Sequence, residues 1–94
     1  IQVKVLPISD KYADHAKAIE MALKKEGLRC ETDGRAEKIG YKIRTAQLEK
    51  IPYMLIIGEK EAKTNTVSVR KRDEGDLGSM PIGQLLEILK KEGI

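Results

Sequence analysis

Tryptophan and phenylalanine are absent from this chain, and tyrosine occurs only at Tyr12, Tyr41 and Tyr53. That scarcity leaves little for a surface that binds nucleic acid by stacking bases on aromatic rings; recognition of bases splayed from a loop would rest on hydrogen bonds from arginine, glutamate and backbone. Cysteine occurs once, as Cys30 in an apolar, strand-like setting. An internal disulfide framework is excluded, the composition suits a reducing cytosol, and the thiol reads as a small buried hydrophobe without a partner for nucleophilic work. His15 is the only histidine. It sits on a lysine-bearing helical stretch with no cysteine or carboxylate at metal spacing, so a surface or half-buried structural role is expected. No run approaches the roughly 18 apolar residues of a membrane span and no signal-peptide pattern precedes Ile1, so a soluble, cytoplasmic domain is expected.

Phosphate loops are missing as well: neither G-x-x-x-x-G-K-[ST] nor G-x-G-x-x-G occurs, and Gly34 and Gly40 do not form one. Glu59 and Glu61 are a carboxylate pair by spacing only and read as solvated loop residues. Eighteen Lys and Arg against fifteen Asp and Glu give a net charge of +3, too small to identify a nucleic-acid binder without an argument from distribution.

What is present is the pattern of one small domain. Ninety-four residues suffice for a single core. The chain opens on Ile1 rather than Met and runs straight into a strand-like segment, so it is expected to be one domain, 1–94, of a longer polypeptide.

Val3, Val5 and Ile8 predict a first strand over about 2–8. Ser9 and Asp10 are placed to cap a helix whose stripe is Tyr12, Ala16, Ile19 and Leu23 and whose stop is Gly27. Leu28 to Thr32 predicts a second strand, and Asp33-Gly34 a turn. A second helix fits about 36–50, with Ile39, Ile43 and Ala46 inward and Lys38, Lys42 and Gln47 outward. On it Glu37 would lie in the first turn and Gly40 would permit close packing. Tyr53 to Ile57 is a continuous apolar run between Pro52 and Gly58, the pattern of a central strand covered on both faces.

Glu59 to Asn65 reads as a polar connection. Thr66 to Arg72 alternates, with Val67, Val69 and Lys71 on one face and Ser68, Arg70 and Arg72 on the other. Asp76 to Met80 supplies an edge strand, and Pro81 opens a last helix at its first position, with Ile82, Leu85 and Leu89 inward and Gly93 at its end. The order β-α-β-α-β-β-β-α predicts a three-layer α/β/α sandwich with a mixed sheet of four or five strands.

Two basic clusters remain. Arg35, Lys38 and Lys42 recur at i, i+3 and i+7 on the second helix, with Arg44 and Lys50 further along, so that one side could face a phosphate chain. On the alternating strand Arg70 and Arg72 point to one face, where arginine can hold a base edge or phosphate in bidentate fashion. From the residues alone, plain solvated faces are the leading reading of both clusters and nucleic-acid binding the lesser one.

The stretch from Asp33-Gly34-Arg35-Ala36-Glu37-Lys38-Ile39-Gly40 to Arg44, followed by Lys50-Ile51-Pro52-Tyr53 to Glu61, resembles the carboxy-terminal anticodon-binding domain of class IIa aminoacyl-tRNA synthetases. Val67-Ser68-Val69-Arg70 with Asp76-Leu77-Gly78-Ser79-Met80 is similar to the bacterial threonyl branch, against the prolyl, histidyl and glycyl branches. The resemblance covers essentially the whole chain from Val3.

It implies a mixed five-stranded sheet between helices, no catalytic residue and no metal ligand within this chain. It also implies a task, holding the anticodon loop of threonine tRNA and reading its second and third nucleotides, G and U. Arg70 matches the strand arginine that contacts anticodon bases, Glu61 the acidic residue that accepts from a base, and Arg44 and Lys50 positions associated with the loop and its backbone. Ala36 stands where the family commonly has asparagine, so one base contact is missing or replaced.

The implied partners are the anticodon stem-loop of threonine tRNA, the catalytic domain of the same polypeptide, and a second copy in a homodimer, with neither membrane nor DNA. ATP, magnesium and zinc are implied for the catalytic domain only. A sibling class IIa specificity and a non-catalytic interaction module on the same fold are the alternatives.

Overall fold

The computed structural model describes residues 1–93. Its elements are β1 (Val3–Pro7), a 3-10 turn at Asp10–Tyr12, α1 (Ala13–Lys25), β2 (Cys30–Thr32), α2 (Ile39–Leu48), β3 (Tyr53–Ile57), α3 (Glu59–Thr64), β4 (Val67–Lys71), β5 (Gly75–Met80) and α4 (Ile82–Lys91). The strands form one mixed sheet in the order β2-β1-β3-β4-β5. The helical crossovers α1 and α2 lead into parallel strands, so β1 pairs parallel with both β2 and β3. The shorter connections reverse the chain, and β3-β4 and β4-β5 are antiparallel.

The apolar run of β3 explains its central place. Tyr53, Leu55 and Ile57 point into a core shared with Val3 and Val5, with Ala16, Ile19 and Leu23 of α1, and with Leu85 and Leu89 of α4. Met54 and Ile56 point the other way, into a smaller core with Leu6, Ala46 and Ile51, against Ile39 and Ile43 of α2. Helices therefore cover both faces, and the three-layer α/β/α architecture with five strands is as expected. At the far end of α4 the Tyr53 hydroxyl donates to Glu92, and Lys71 Nζ reaches the same carboxylate at 3.0 Å. Burial first, and then Glu92, push the Tyr53 phenol up to about 12.

The structure corrects several local expectations. Glu59 to Asn65 is not a plain polar connection: Glu59–Thr64 is helical, so the order is β-α-β-α-β-α-β-β-α. The cause is a cap, because Glu61 Oε1 accepts from the Gly58 backbone amide at 2.8 Å and so satisfies a donor at the start of α3. Ser9 precedes a 3-10 turn and makes no side-chain capping bond.

The second helix begins at Ile39 rather than near 36, so Glu37 lies ahead of its first turn. A methyl group at Gly40 would meet nothing within 4 Å, so that glycine serves no close packing. Pro81 is the cap before α4 rather than its first residue.

Candidate nucleic-acid interface

On the α2 side of the sheet the cover is partial. α2 lies over Leu6 of β1 and Met54 of β3. Strand pairing places Ser68 beside Ile56 and Arg70 beside Met54, while across β5 Ser79 lies opposite Ser68 and Asp76 opposite Arg70. These four polar side chains are half-buried or exposed and form a bare strip alongside the helix. A bulge falls between Val69 and Arg70, with Gly78 opposite Val69 at φ 91°; such irregularities re-aim a side chain. Asp76, the nearest acid in register, turns its Oδ1 to the Gly78 amide at 2.8 Å. Among the described residues the Arg70 guanidinium has no hydrogen bond or ion pair.

At the start of β3 the chain is pinned by Arg72, whose backbone amide donates to the Pro52 carbonyl and whose Nη1 donates to the Lys50 carbonyl, both at 2.9 Å. Lys50 adopts a left-handed φ of 59° there. Its amino group and the Arg44 guanidinium on α2 are exposed and carry no partner among the described residues. The structure thus brings Arg72 and Lys50 together and uses Arg72 to shape the turn.

At the opposite end of β3 lies a cleft of about 360 Å³, lined by Ile8, Ser9 and Asp10 after β1 and by Ala36, Glu37 and Lys38 before α2. Its two walls follow the carboxyl ends of β1 and β2. There the crossovers depart to opposite faces of the sheet, the position where open α/β sheets collect ligands. Lys38 caps α2 with its backbone and leaves its side chain exposed and unpartnered among the described residues. A methyl group at Gly58 would lie 3.0 Å from Ile8 Cδ1 and 3.2 Å from Glu61 Oε1, so the missing side chain lets these groups close together beside the cleft.

Glu61 is not the solvated loop residue expected, being 9% exposed with one oxygen on the Gly58 amide. Its Oε2 makes no hydrogen bond among the described residues.

Lys42 is a sharper correction, since it is not on the outer face of α2. It is 2% exposed, and its Nζ donates to the Pro7 carbonyl at 2.9 Å. Arg35 and Lys38 precede the helix, so the i, i+3, i+7 spacing does not make a helical face. Arg35 is engaged instead by Asp33: Nε reaches Oδ1 at 2.9 Å and Nη2 reaches Oδ2 at 2.8 Å, with the Tyr41 ring 5.3 Å away. This bidentate pair raises the Arg35 pKa, and Arg35 in turn holds the buried Asp33 carboxyl below its usual range.

The expected positions therefore divide. Arg70, Arg44, Lys50 and Lys38 offer free cationic groups around the strip and the cleft, while Arg35, Lys42 and Arg72 are engaged within the fold and Glu61 caps α3. Arg70 and Glu61 make no direct contact, since Arg70 pairs with the start of β3 and Glu61 follows its end. Sequence reasoning missed Ile8, Ser9 and Asp10 as part of the site; the signal was the strand order, which puts the switch point at the end of β1. His15 is half-buried with Nε2 unpartnered, and burial pushes the Cys30 thiol up to about 11. Among the described residues no three His, Cys, Asp or Glu side chains are grouped to hold a metal ion, and no helix is long and apolar enough to cross a membrane.

Residues 2–92 match the family model described as "Anticodon binding domain". The chain is 56% identical over 91 residues to a threonine–tRNA ligase of Clostridioides difficile (strain 630), covering 97% of this chain and 14% of that protein. It is 50% identical over 96 residues to a threonine–tRNA ligase of Acetivibrio thermocellus, covering 98% of this chain and 15% of that one. The chain thus spans about one seventh of the length of these curated relatives.

Among solved structures, the RNA binding domain of threonyl-tRNA synthetase from Cryptosporidium parvum Iowa II superposes with a TM-score of 0.91 at 36% identity, over 96% of this chain and 23% of that one. Histidyl-tRNA synthetase from Nostoc sp. PCC 7120 gives 0.89 at 22% identity, over 99% of this chain and 22% of that one, a likeness of fold alone.

Proposed function

The chain belongs to the anticodon-binding domain family, and from that premise we propose that it holds the anticodon loop of threonine tRNA along the bare strip beside α2 and in the adjoining cleft. The observation that carries this reading is the free Arg70 guanidinium on an uncovered sheet surface, re-aimed by a bulge, together with the exposed cations Arg44 on α2 and Lys50 ahead of β3. Arg70 presents two parallel N–H donors to a base edge such as guanine N7 and O6. Glu61 offers its free oxygen to a base amine or imide. Lys38, Lys50 and Arg44 meet phosphates, where a compact charge suffices.

Arg35, Lys42 and Arg72, nominated from spacing, belong to the same site as its framework. Tyr41 is exposed, but Arg35 lies over its ring, so hydrogen bonds rather than stacking carry the specificity. Ala36 lines the cleft with a methyl group and backbone only, so a base there meets main-chain donors and acceptors.

The choice of threonine tRNA follows the ligases at 50 and 56% identity, and the reading of G and U at the second and third anticodon positions is what the family resemblance implies. In such a ligase this domain, 1–94 of a longer polypeptide, contributes binding and orientation. ATP-dependent attachment of threonine, with magnesium and zinc, belongs to a catalytic domain elsewhere in the polypeptide, in a cytoplasmic homodimer.

The test is a titration of the chain with a synthetic threonine anticodon stem-loop and with stem-loops of unrelated anticodons over a range of salt. Tighter binding of the threonine loop, weakening steeply as salt rises, is expected. Equal affinity for all loops would reduce the surface to a generic RNA patch. Preference for a proline or histidine anticodon would move the assignment to a sibling branch.

A further inference from the structure

We propose that Lys42 and the Asp33–Arg35 pair are positioning residues that set the width and shape of the cleft, acting on RNA through the backbone of its two walls and touching no phosphate themselves. The inference rests on the anticodon-loop reading and assigns three internally engaged residues of that site a role.

The two walls are separate segments, 8–10 after β1 and 36–38 before α2, and each is anchored immediately outside the cleft. Pro7, the last residue of β1, precedes the first wall, and its carbonyl accepts from Lys42 Nζ at 2.9 Å. Lys42 belongs to the first turns of α2, and its backbone amide bonds to the Lys38 carbonyl at 3.1 Å in the second wall. One residue therefore ties wall to wall, by its backbone on one side and its side chain on the other. A methionine of similar length would fill the same space without the cost of burying an amine, so what the amine adds is this bond across the cleft.

The Asp33–Arg35 pair fixes the second wall from its other end. The Asp33 amide donates to the Val5 carbonyl at 2.9 Å, which anchors the segment to β1. Asp33 Oδ1 then accepts from the Arg35 backbone amide at 3.2 Å and from its Nε, Oδ2 accepts from Nη2, and the Glu37 amide closes on the Arg35 carbonyl at 2.9 Å. Two of the three guanidinium nitrogens, Nε and Nη2, are thus held by a buried carboxylate. The guanidinium's planar fork, which a lysine cannot reproduce, is what the turn uses.

The experiment compares the wild-type chain with Arg35→Lys, Arg35→Ala and Lys42→Met. Each is titrated with the threonine anticodon stem-loop and with versions made abasic at one anticodon position at a time, across a salt series. Arg35→Lys keeps the charge and loses the fork, and its exposed side chain makes a folding defect easy to avoid. It is expected to weaken binding about tenfold, as Arg35→Ala does, with the salt slope unchanged. The loss should vanish for the loop lacking the base that fills the cleft, and a purely structural defect would not show that dependence. Lys42→Met should follow the same pattern.

Wild-type affinity and slope in Arg35→Lys, with a slope reduced by about 0.7 in Arg35→Ala, would make Arg35 a phosphate contact and overturn the proposal. An equal loss on every loop, abasic or not, would overturn it too. A wild-type chain that fails to prefer the threonine loop would defeat the anticodon reading itself, and the positioning role with it.

Discussion

One face of the sheet is closed by α1 and α4 over Val3, Val5, Leu55, Val67 and Val69, whereas the other is closed by α2 over Leu6 and Met54 and left bare over β4 and β5. The closed face holds most of the large buried side chains. The half-open face holds the unpaired arginine and lysines. The same contrast separates cations of one charge: those engaged by carbonyls or a buried carboxylate build the surface, and those left free are available to a polyanion. Spacing along the chain does not sort them, but partners do.

Mutation should separate the two faces. Leu55→Ala empties a fully buried position in the larger core and should cost about 2–5 kcal/mol in urea unfolding, while the fraction that stays folded binds the stem-loop as before. Loss of base discrimination in that folded fraction would show the two faces to be coupled. Arg70→Ala on the bare strip should do the reverse. It should cost about 1–3 kcal/mol of stem-loop affinity and relax discrimination at one anticodon position, with unfolding changed by less than about 0.5 kcal/mol. Uniform weakening on all loops would make Arg70 a phosphate contact.

Acid probes the closed side more gently. Lys24 Nζ, 2.7 Å from Glu20 Oε2, is the leading cause that holds the buried Glu20 carboxyl down at about 2, against an ordinary 4.5. A carboxyl depressed in the folded state stabilises fully above its unfolded value, and the contribution disappears as pH falls through the folded one. Stability should therefore decline between about pH 4.5 and 2, and Glu20→Gln should flatten that decline. An unchanged acid profile in the variant would remove Glu20 from the account. The smallest effect is expected at Gly40, exposed in the first turn of α2 with open space around it. Gly40→Ala should raise stability by about 0.5–1 kcal/mol and leave RNA binding unaltered.

Much of the fold was legible because its signals are local. The unbroken run Tyr53–Ile57 announced a covered central strand, and the alternation through Val67, Val69 and Arg70 announced a strand with one wet face. Six-residue α3 escaped because it carries no apolar stripe; its only sign is glycine followed three residues later by glutamate. Lys42 was misplaced because lysine was assigned outward by polarity. Yet Ile39, Ile43 and Ala46 already put position 42 near the inner side of the helix, where a carbonyl at the end of β1 receives the amine. The cleft was illegible for a different reason. Its walls are 26 or more residues apart in sequence and meet only through the strand order, so no window of sequence contains it.

The most direct test of the central claim is a titration of the wild-type chain with threonine anticodon stem-loops changed one nucleotide at a time. The account predicts losses concentrated at the second and third anticodon nucleotides and little change elsewhere in the loop. Losses spread evenly over the loop, or none at those two positions, would contradict it.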